Sequence, residues 1–256
     1  MSVENDAPLV LTEIRSGAGV ITLNRPDKRN ALSPEMVKEL NSALLGFEQN
    51  NQVRVIIVTG AGKAFCAGAD LKYLQQLSQY SIAENLTDSE HIASLFLAMY
   101  NLNKPVIAAV NGPAIAGGCG LATAADWIIA HPEAKFGYTE VKLGFVPAIV
   151  SYLLLTRMPV AKARQLLLSG DIIDATTALH SQLIDGISGD PLTMAFEMAE
   201  KLMKNSSEGM GFVKQLLRRF VSPSADSAFQ SAAVVNALSR TGTDFKAGLK
   251  KFLDKQ

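Results

Sequence analysis

The segment Lys104–Glu140 constrains this chain most. Val106-Ile107-Ala108-Ala109-Val110 is an unbroken apolar run that ends at the turn Asn111-Gly112-Pro113. An apolar run of this length before a turn reads as a buried strand. Gly117-Gly118 follows, then an Ala/Leu-rich helical pattern and a second strand, Trp127 to Ala130. The segment closes on one carboxylate, Glu140, in an otherwise uncharged Gly-Tyr-Thr setting. Strand, glycine pair, helix start and a single acid together describe an oxyanion hole facing a base.

Upstream, residues 9–14 and 19–23 alternate apolar and polar around Gly17-Ala18-Gly19, the pattern of a hairpin. Ser33-Pro34-Glu35 starts a helix, with Ser as cap and Pro in the first turn. Met36, Val37, Leu40, Leu44 and Phe47 recur at helical spacing. Val53 to Thr59 is a buried strand, and Leu71 to about Gln79 is helical. Residues 80–88 are polar and read as mobile, with helix resuming from Ser89 to Asn101. Further helices fall near 150–156, 160–169 and 175–181, and from Leu192 onward only helical patterns remain. The expected division is a mixed region, 1–195, and a helical region, 196–256.

The 24 basic and 24 acidic side chains cancel, so no global field favours nucleic acid or an anionic membrane. Two cysteines among 256 residues are not a disulfide framework. The opening residues hold no basic region followed by an apolar run, and no segment has the length of a membrane span. A soluble cytoplasmic enzyme is the expectation. His91, His131 and His180 are scattered, neither cysteine has a CxxC partner, and no metal is expected.

Two glycine-rich loops need weighing. Gly60-Ala61-Gly62-Lys63 follows a strand, but Phe65 stands where a dinucleotide fingerprint needs its third glycine. Ala64 stands where a P-loop needs Ser or Thr. In Phe65-Cys66-Ala67-Gly68-Ala69-Asp70-Leu71, Asp70 suits a helix start, and the small residues let a ligand approach the backbone. Glu140 reads either as a solvated surface acid or as a base whose pKa an apolar setting raises.

These pieces together resemble the crotonase family, the enoyl-CoA hydratases and isomerases. The resemblance is carried by Asn24-Arg25-Pro26 with Asn30-Ala31-Leu32, by Ala64 to Leu71, and by Lys104 to Gly112. Gly117-Gly118-Cys119, Ala134 to Gly137 and Glu140-Val141-Lys142-Leu143-Gly144 continue it in family order. It implies an α/β fold, a spiral of β-β-α units with an α-helical C-terminal region that assembles trimers or pairs of trimers. It implies an acyl-CoA thioester as substrate, with coenzyme A part of that substrate and no separate cofactor. The thioester oxygen would lie between the N–H groups of Ala69 and Gly117, with Glu140 as catalytic base and proton shuttle. Lys28, Arg29, Ala31, Cys66, Gly68, Asp70, Leu71 and Gly118 match CoA- and acyl-binding positions, with Phe252 and Lys255 as C-terminal additions.

Family hydratases use two glutamates, and the first of them falls here on Gly120. Pro147-Ala148-Ile149-Val150 stands where many hydratases carry a glycine run, which makes the opposite wall more apolar. Three readings follow: a 3-enoyl-CoA to 2-enoyl-CoA isomerase using Glu140 alone, a 2-enoyl-CoA hydratase with one glutamate, and a non-catalytic acyl-CoA-binding protein.

Overall fold

The computed structural model describes residues 7–221 and 225–254. The chain begins with the expected hairpin, β1 (Val10–Arg15) antiparallel to β2 (Ala18–Leu23). Helix α1 (Pro34–Gln49) starts where its cap predicts, with Ser33 Oγ accepting from Met36 N. Strands β3 (Val55–Gly60), β4 (Val106–Val110), β6 (Trp127–Ala130) and β9 (Gly186–Ile187) then join β2 in parallel, giving a six-stranded sheet ordered β1-β2-β3-β4-β6-β9.

A second, small sheet consists of β5 (Ala114–Ile115), β7 (Lys135–Gly137) and β8 (Ile172–Asp174), ordered β5-β7-β8. Isolated parallel bridges, Leu32 to Ala69 and Cys66 to Ala114, extend it back to the earlier units. Successive turns of the chain therefore place a long strand in the first sheet and a short extended stretch in the second. This is the β-β-α spiral. Its helices here are α2 (Leu71–Leu77), α3 (Ile82–Asn101), α4 (Gly117–Thr123), α5 (Ala148–Arg157), α6 (Val160–Ser169) and α7 (Ala175–His180).

The central strands are apolar throughout because both faces are covered. Ile56, Val58, Val106, Ala108 and Val110 face a core shared with α1, α3 and α5. Their neighbours Val55, Ile57, Ile107 and Ala109 face Ala195 and Ala199 of α8 (Pro191–Leu202), one helical turn apart. Each fully buried Ile or Val contributes about 1.5–3 kcal/mol. Three more helices complete the chain: α9 (Ser207–Val221), α10 (Ala225–Thr241) and α11 (Thr243–Leu253). Phe229 and Ala233 of α10 belong to the main core.

One expectation is corrected. Residues 82–88 are helical, and α3 begins at Ile82. Ser81 Oγ accepts from Glu84 N while the Glu84 carboxylate accepts from Ser81 N, at 3.3 and 2.8 Å. This reciprocal capping box offsets the polar composition of the first turns. Asn85 and Ser89, polar in the sequence, are fully buried on the inner face of this helix.

Candidate active site

The site lies where two turns of the spiral touch. Leu32 N donates to Gly68 O (2.7 Å), Asp70 N donates to Leu32 O (2.9 Å), and Ala67 N donates to Arg29 O (3.0 Å). The alternation of an extended chain then turns the N–H of Ala69 to the other edge. Among the described residues it has no protein acceptor.

On the next turn, Gly117 opens α4 immediately after β5, and its N–H is likewise unpaired among the described residues. Ala116 adopts φ 52°, ψ −124°, a left-handed backbone rare for a residue with a Cβ. This ψ fixes the plane of the Ala116–Gly117 peptide and so the direction of the Gly117 N–H. A Cβ added to Gly68 (φ +89°) would lie 2.9 Å from Ile115 O and 3.6 Å from Gly117 N. The two free donors thus belong to segments in direct contact, both half-buried and reachable from the surface.

Gly118 shows how close the segments are. A Cβ there would stand 2.1 Å from Cys66 O, inside backbone that has no room to yield. Gly118→Ala is expected to separate the Ala69 and Gly117 donors and lower kcat about 10²- to 10³-fold, the cost of losing one such donor. Steady-state kinetics with circular dichroism as the folding control checks it.

Glu140 sits in a 3-10 turn, Thr139–Leu143, directly after β7. The register of β5 with β7 ties the strand that leads into it to the residues just before Gly117: Ile115 pairs with Gly137, and Ala116 N donates to Gly137 O (2.7 Å). The residue is 5% exposed, and its buried Oε2 has no protein partner among the described residues. Burial raises its pKa to about 7, partly offset by a hydrogen bond from its own backbone. Tyr138 is fully buried and its hydroxyl is 2.8 Å from Thr123 Oγ1, which ties the turn to α4. Burial pushes the Cys66 and Cys119 thiols up to about 12, so neither is a thiolate nucleophile near neutral pH.

Gly120 is packed shut. A Cβ there would meet Val150 Cγ1 at 2.1 Å and Phe96 Cε1 at 3.3 Å. Val150 of α5 and Phe96 of α3 therefore fill the space in which a side chain at 120 would begin. Neither partner is legible from the sequence around Gly120, because each comes from a different element.

The remaining candidates fall in two places. Lys28 and Arg29 are exposed, while Ala31 is buried beside the Cys66–Leu71 segment. Arg29 and Asn30 take consecutive left-handed conformations, φ 51° and 55°. The Asn30 amide holds them by donating to Ala61 O and Ala64 O and accepting from Arg25 N. Asp70 caps α2, accepting from Lys72 N and Tyr73 N, and its other oxygen accepts from Arg25 Nη1 at 2.7 Å. Its carboxylate is thus occupied in holding the residue next to Ala69. Leu71 is half-buried at the first position of α2.

At the C-terminus, α11 lays Phe245 and Leu249 on Tyr73, Leu74 and Leu77 of α2, with Ala69 and Leu71 at the margin of this cluster. Phe252 on the same helix is 36% exposed. Lys255 lies outside the described residues.

The Gly60–Lys63 loop has a structural role. Cβ atoms at Gly60 and Gly112 would lie 2.5 Å from Ala64 O and 2.2 Å from Lys63 O. The glycines permit backbone to pack on backbone within this loop and between it and the Asn111–Pro113 turn. Among the described residues, no group of three or more His, Cys, Asp or Glu is placed to hold a metal ion. No described helix is long and apolar enough to cross a membrane.

A cavity of about 640 Å³, lined by Tyr100, Asp126, Arg157, Asp185, Lys214 and Arg218 among others, includes none of Ala69, Gly117 or Glu140. Its cations are already engaged: Arg157 with Asp185, Lys214 with Asp126, and Arg218 with Tyr100 O and Leu102 O. The two free donors and the perturbed acid, not this cavity, are the candidate reactive centre.

The enoyl-CoA hydratase/isomerase family model matches residues 13–256. A provisionally named enoyl-CoA hydratase of Thermus thermophilus is 39% identical over 249 residues, 96% of this chain and 98% of that protein. The short-chain-enoyl-CoA hydratase of Clostridium acetobutylicum is 32% identical over 96% of this chain and 95% of its own length. A crystal structure of an enoyl-CoA hydratase from Mycobacterium avium superposes with a TM-score of 0.87 at 29% identity, covering 98% of each chain. With its two unpaired donors and its buried acid in the family's order, this chain belongs to the enoyl-CoA hydratase/isomerase family.

Proposed function

We propose that the protein isomerises 3-enoyl-CoA thioesters to 2-enoyl-CoA thioesters, with Glu140 as the sole proton shuttle. The Ala69 and Gly117 N–H groups donate to the thioester oxygen and stabilise the enolate. Glu140 breaks the C2–H bond, and the electron pair delocalises over oxygen, C2 and C4. The same carboxyl returns the proton to C4. The pair then forms the C2=C3 bond and restores the thioester carbonyl. Lys28 and Arg29 are the cations that bind the CoA phosphates, with Ala31 and the Cys66–Leu71 segment along the pantetheine and acyl path.

The observation that carries this reading is the closure of position 120 by Val150 and Phe96. Isomerisation needs one base and no water. Hydration needs a water held in line, and the side chains that close position 120, where a second acid would stand, are the apolar Val150 and Phe96. The names of the relatives favour the second reading, hydration of a 2-enoyl-CoA by Glu140 alone.

Paired assays of purified protein on a 3-enoyl-CoA and a 2-enoyl-CoA separate the two. Isomerisation is expected to exceed hydration by at least about tenfold, about 1.4 kcal/mol in barrier. Faster water addition overturns the first reading in favour of the second. Tight binding of both esters without turnover of either overturns both.

The oligomer belongs to the same proposal. Phe212, Val213, Leu216, Leu217 and Phe220 fall on one face of α9 and are 48–77% exposed. An apolar stripe of that length is an interface in a helix of this kind, and a trimer or hexamer covers it. Phe212→Glu with Phe220→Glu is expected to yield monomer by light scattering, where the parent chain is a trimer or a multiple of three.

A further inference from the structure

A polar seam runs between α3 and α10 inside an otherwise apolar packing. Arg240 of α10 pairs with Asp88 of α3, with side chains 6% and 10% exposed. One turn away, Ser89 Oγ donates to Asn236 Oδ1 at 2.9 Å, and both residues are buried. Buried ion pairs and amides gain little net stability over well-packed apolar replacements. Their position is more informative than their strength.

Both α10 residues also reach the segment that follows Glu140. Asn236 Nδ2 donates to Val146 O at 3.3 Å. The Arg240 guanidinium lies 5.3 Å from the Phe145 ring centroid, over its face. Phe145 is the residue whose N–H closes the turn by donating to Glu140 O, at 3.1 Å. The Glu140 carboxyl takes a hydrogen bond from its own backbone, and its buried Oε2 has no protein partner among the described residues. Its direction is therefore set by its backbone turn, and the far end of that turn is held by Asn236 and Arg240.

We propose that Asn236 and Arg240 are positioning residues for Glu140. They act as a clamp from α10, braced on Asp88 and Ser89 of α3, that aims the carboxyl at the substrate carbon. This rests on Glu140 being the proton shuttle. The geometry makes α10, a helix with Val234, Val235 and Leu238 exposed on its surface, a direct mechanical link to the reacting group.

Two variants test it: Asn236→Leu, and the apolar pair Asp88→Leu with Arg240→Met, which leaves no lone buried charge. Each is expected to lower kcat on the 3-enoyl-CoA about ten- to hundredfold, as a misplacement of about 1 Å does. KM is expected to stay within about twofold, because the clamp contacts no ester-binding segment. Arg240→Lys, which keeps the charge facing Asp88, is expected to retain most of kcat. Crystal structures of the variants are expected to show the Glu140 carboxyl displaced.

Full kcat in both variants, or Glu140 unmoved in their crystals, overturns the clamp. So does a fall in kcat that simply follows the thermal unfolding midpoint. If the parent enzyme converts neither ester, the shuttle reading fails instead, and the crystallographic position of Glu140 still decides the clamp.

Discussion

Glu140→Gln is expected to lower turnover of a 3-enoyl-CoA about 10²- to 10⁴-fold, the range that a positioned general base supplies. Glutamine is nearly isosteric, so the ester still binds and KM changes little. The same residue sets the pH profile. A base with a pKa of about 7 must be ionised to act, so kcat/KM is expected to rise about tenfold per unit up to neutrality and level off above it. In Glu140→Gln the residual rate should lose this inflection. The stability prediction runs in the opposite direction to activity. The folded state holds the Glu140 proton more tightly than the unfolded chain, whose carboxyl has the ordinary value of 4.5. Between 4.5 and 7 the native state binds more protons, so stability falls as pH rises through that window. Above pH 7 the buried carboxylate costs up to about 3 kcal/mol, and at pH 4 it costs nothing. Glu140→Gln is therefore expected to raise the unfolding midpoint at pH 8 and leave it unchanged near pH 4. An equal midpoint at both values would show that Glu140 is solvated, and would remove the physical basis for its role as a base.

Much of this organisation is written locally. The unbroken apolar run Val106–Val110 specifies a buried strand, and α8 with the main core covers its two faces. Ser33-Pro34 specifies the start of α1. The same kind of signal was available at Ser81 and Glu84, but the polar residues around it obscured the capping box, and the first turn of α3 read as loop. Strands β5, β8 and β9 are two or three residues long and carry no periodicity of their own, so only their pairing reveals them. The candidate site is legible as a set of motifs in family order. Its geometry is not, because each decisive contact joins distant residues. Gly68 meets Ile115, Gly118 meets Cys66, and Asn236 reaches Val146. The left-handed Ala116 has no sequence signal at all, since alanine is a poor choice for that backbone and is held there by its surroundings.

Gly120→Glu is expected to fail as a route to hydration, although it rebuilds the family's two-acid pattern. The new Cβ would overlap Val150 Cγ1, at 2.1 Å, and the carboxylate would be driven among Val150 and Phe96. An unpaired charge in that setting costs several kcal/mol, enough to unfold a domain of ordinary stability or force α5 outward. The single variant should therefore be insoluble, or folded and nearly inactive on both esters. Removing the obstacle changes the outcome. Val150→Gly frees the space beside Gly120, and with Gly120→Glu the acid and a water share the room that the valine occupied. The double variant is expected to add water to a 2-enoyl-CoA at least about tenfold faster than the parent while its 3-enoyl isomerisation falls, since a water beside the enolate competes for the proton. Val150→Gly alone opens the cavity without the second acid. It is expected to lose about 2–3 kcal/mol of stability to the missing side chain and to gain little hydration. The comparison is decisive because it separates room from chemistry. If Gly120→Glu alone folds well and hydrates efficiently, Val150 is no barrier. If Val150→Gly alone hydrates as well as the double variant, space for water, and not the number of acids, sets the reaction this site performs.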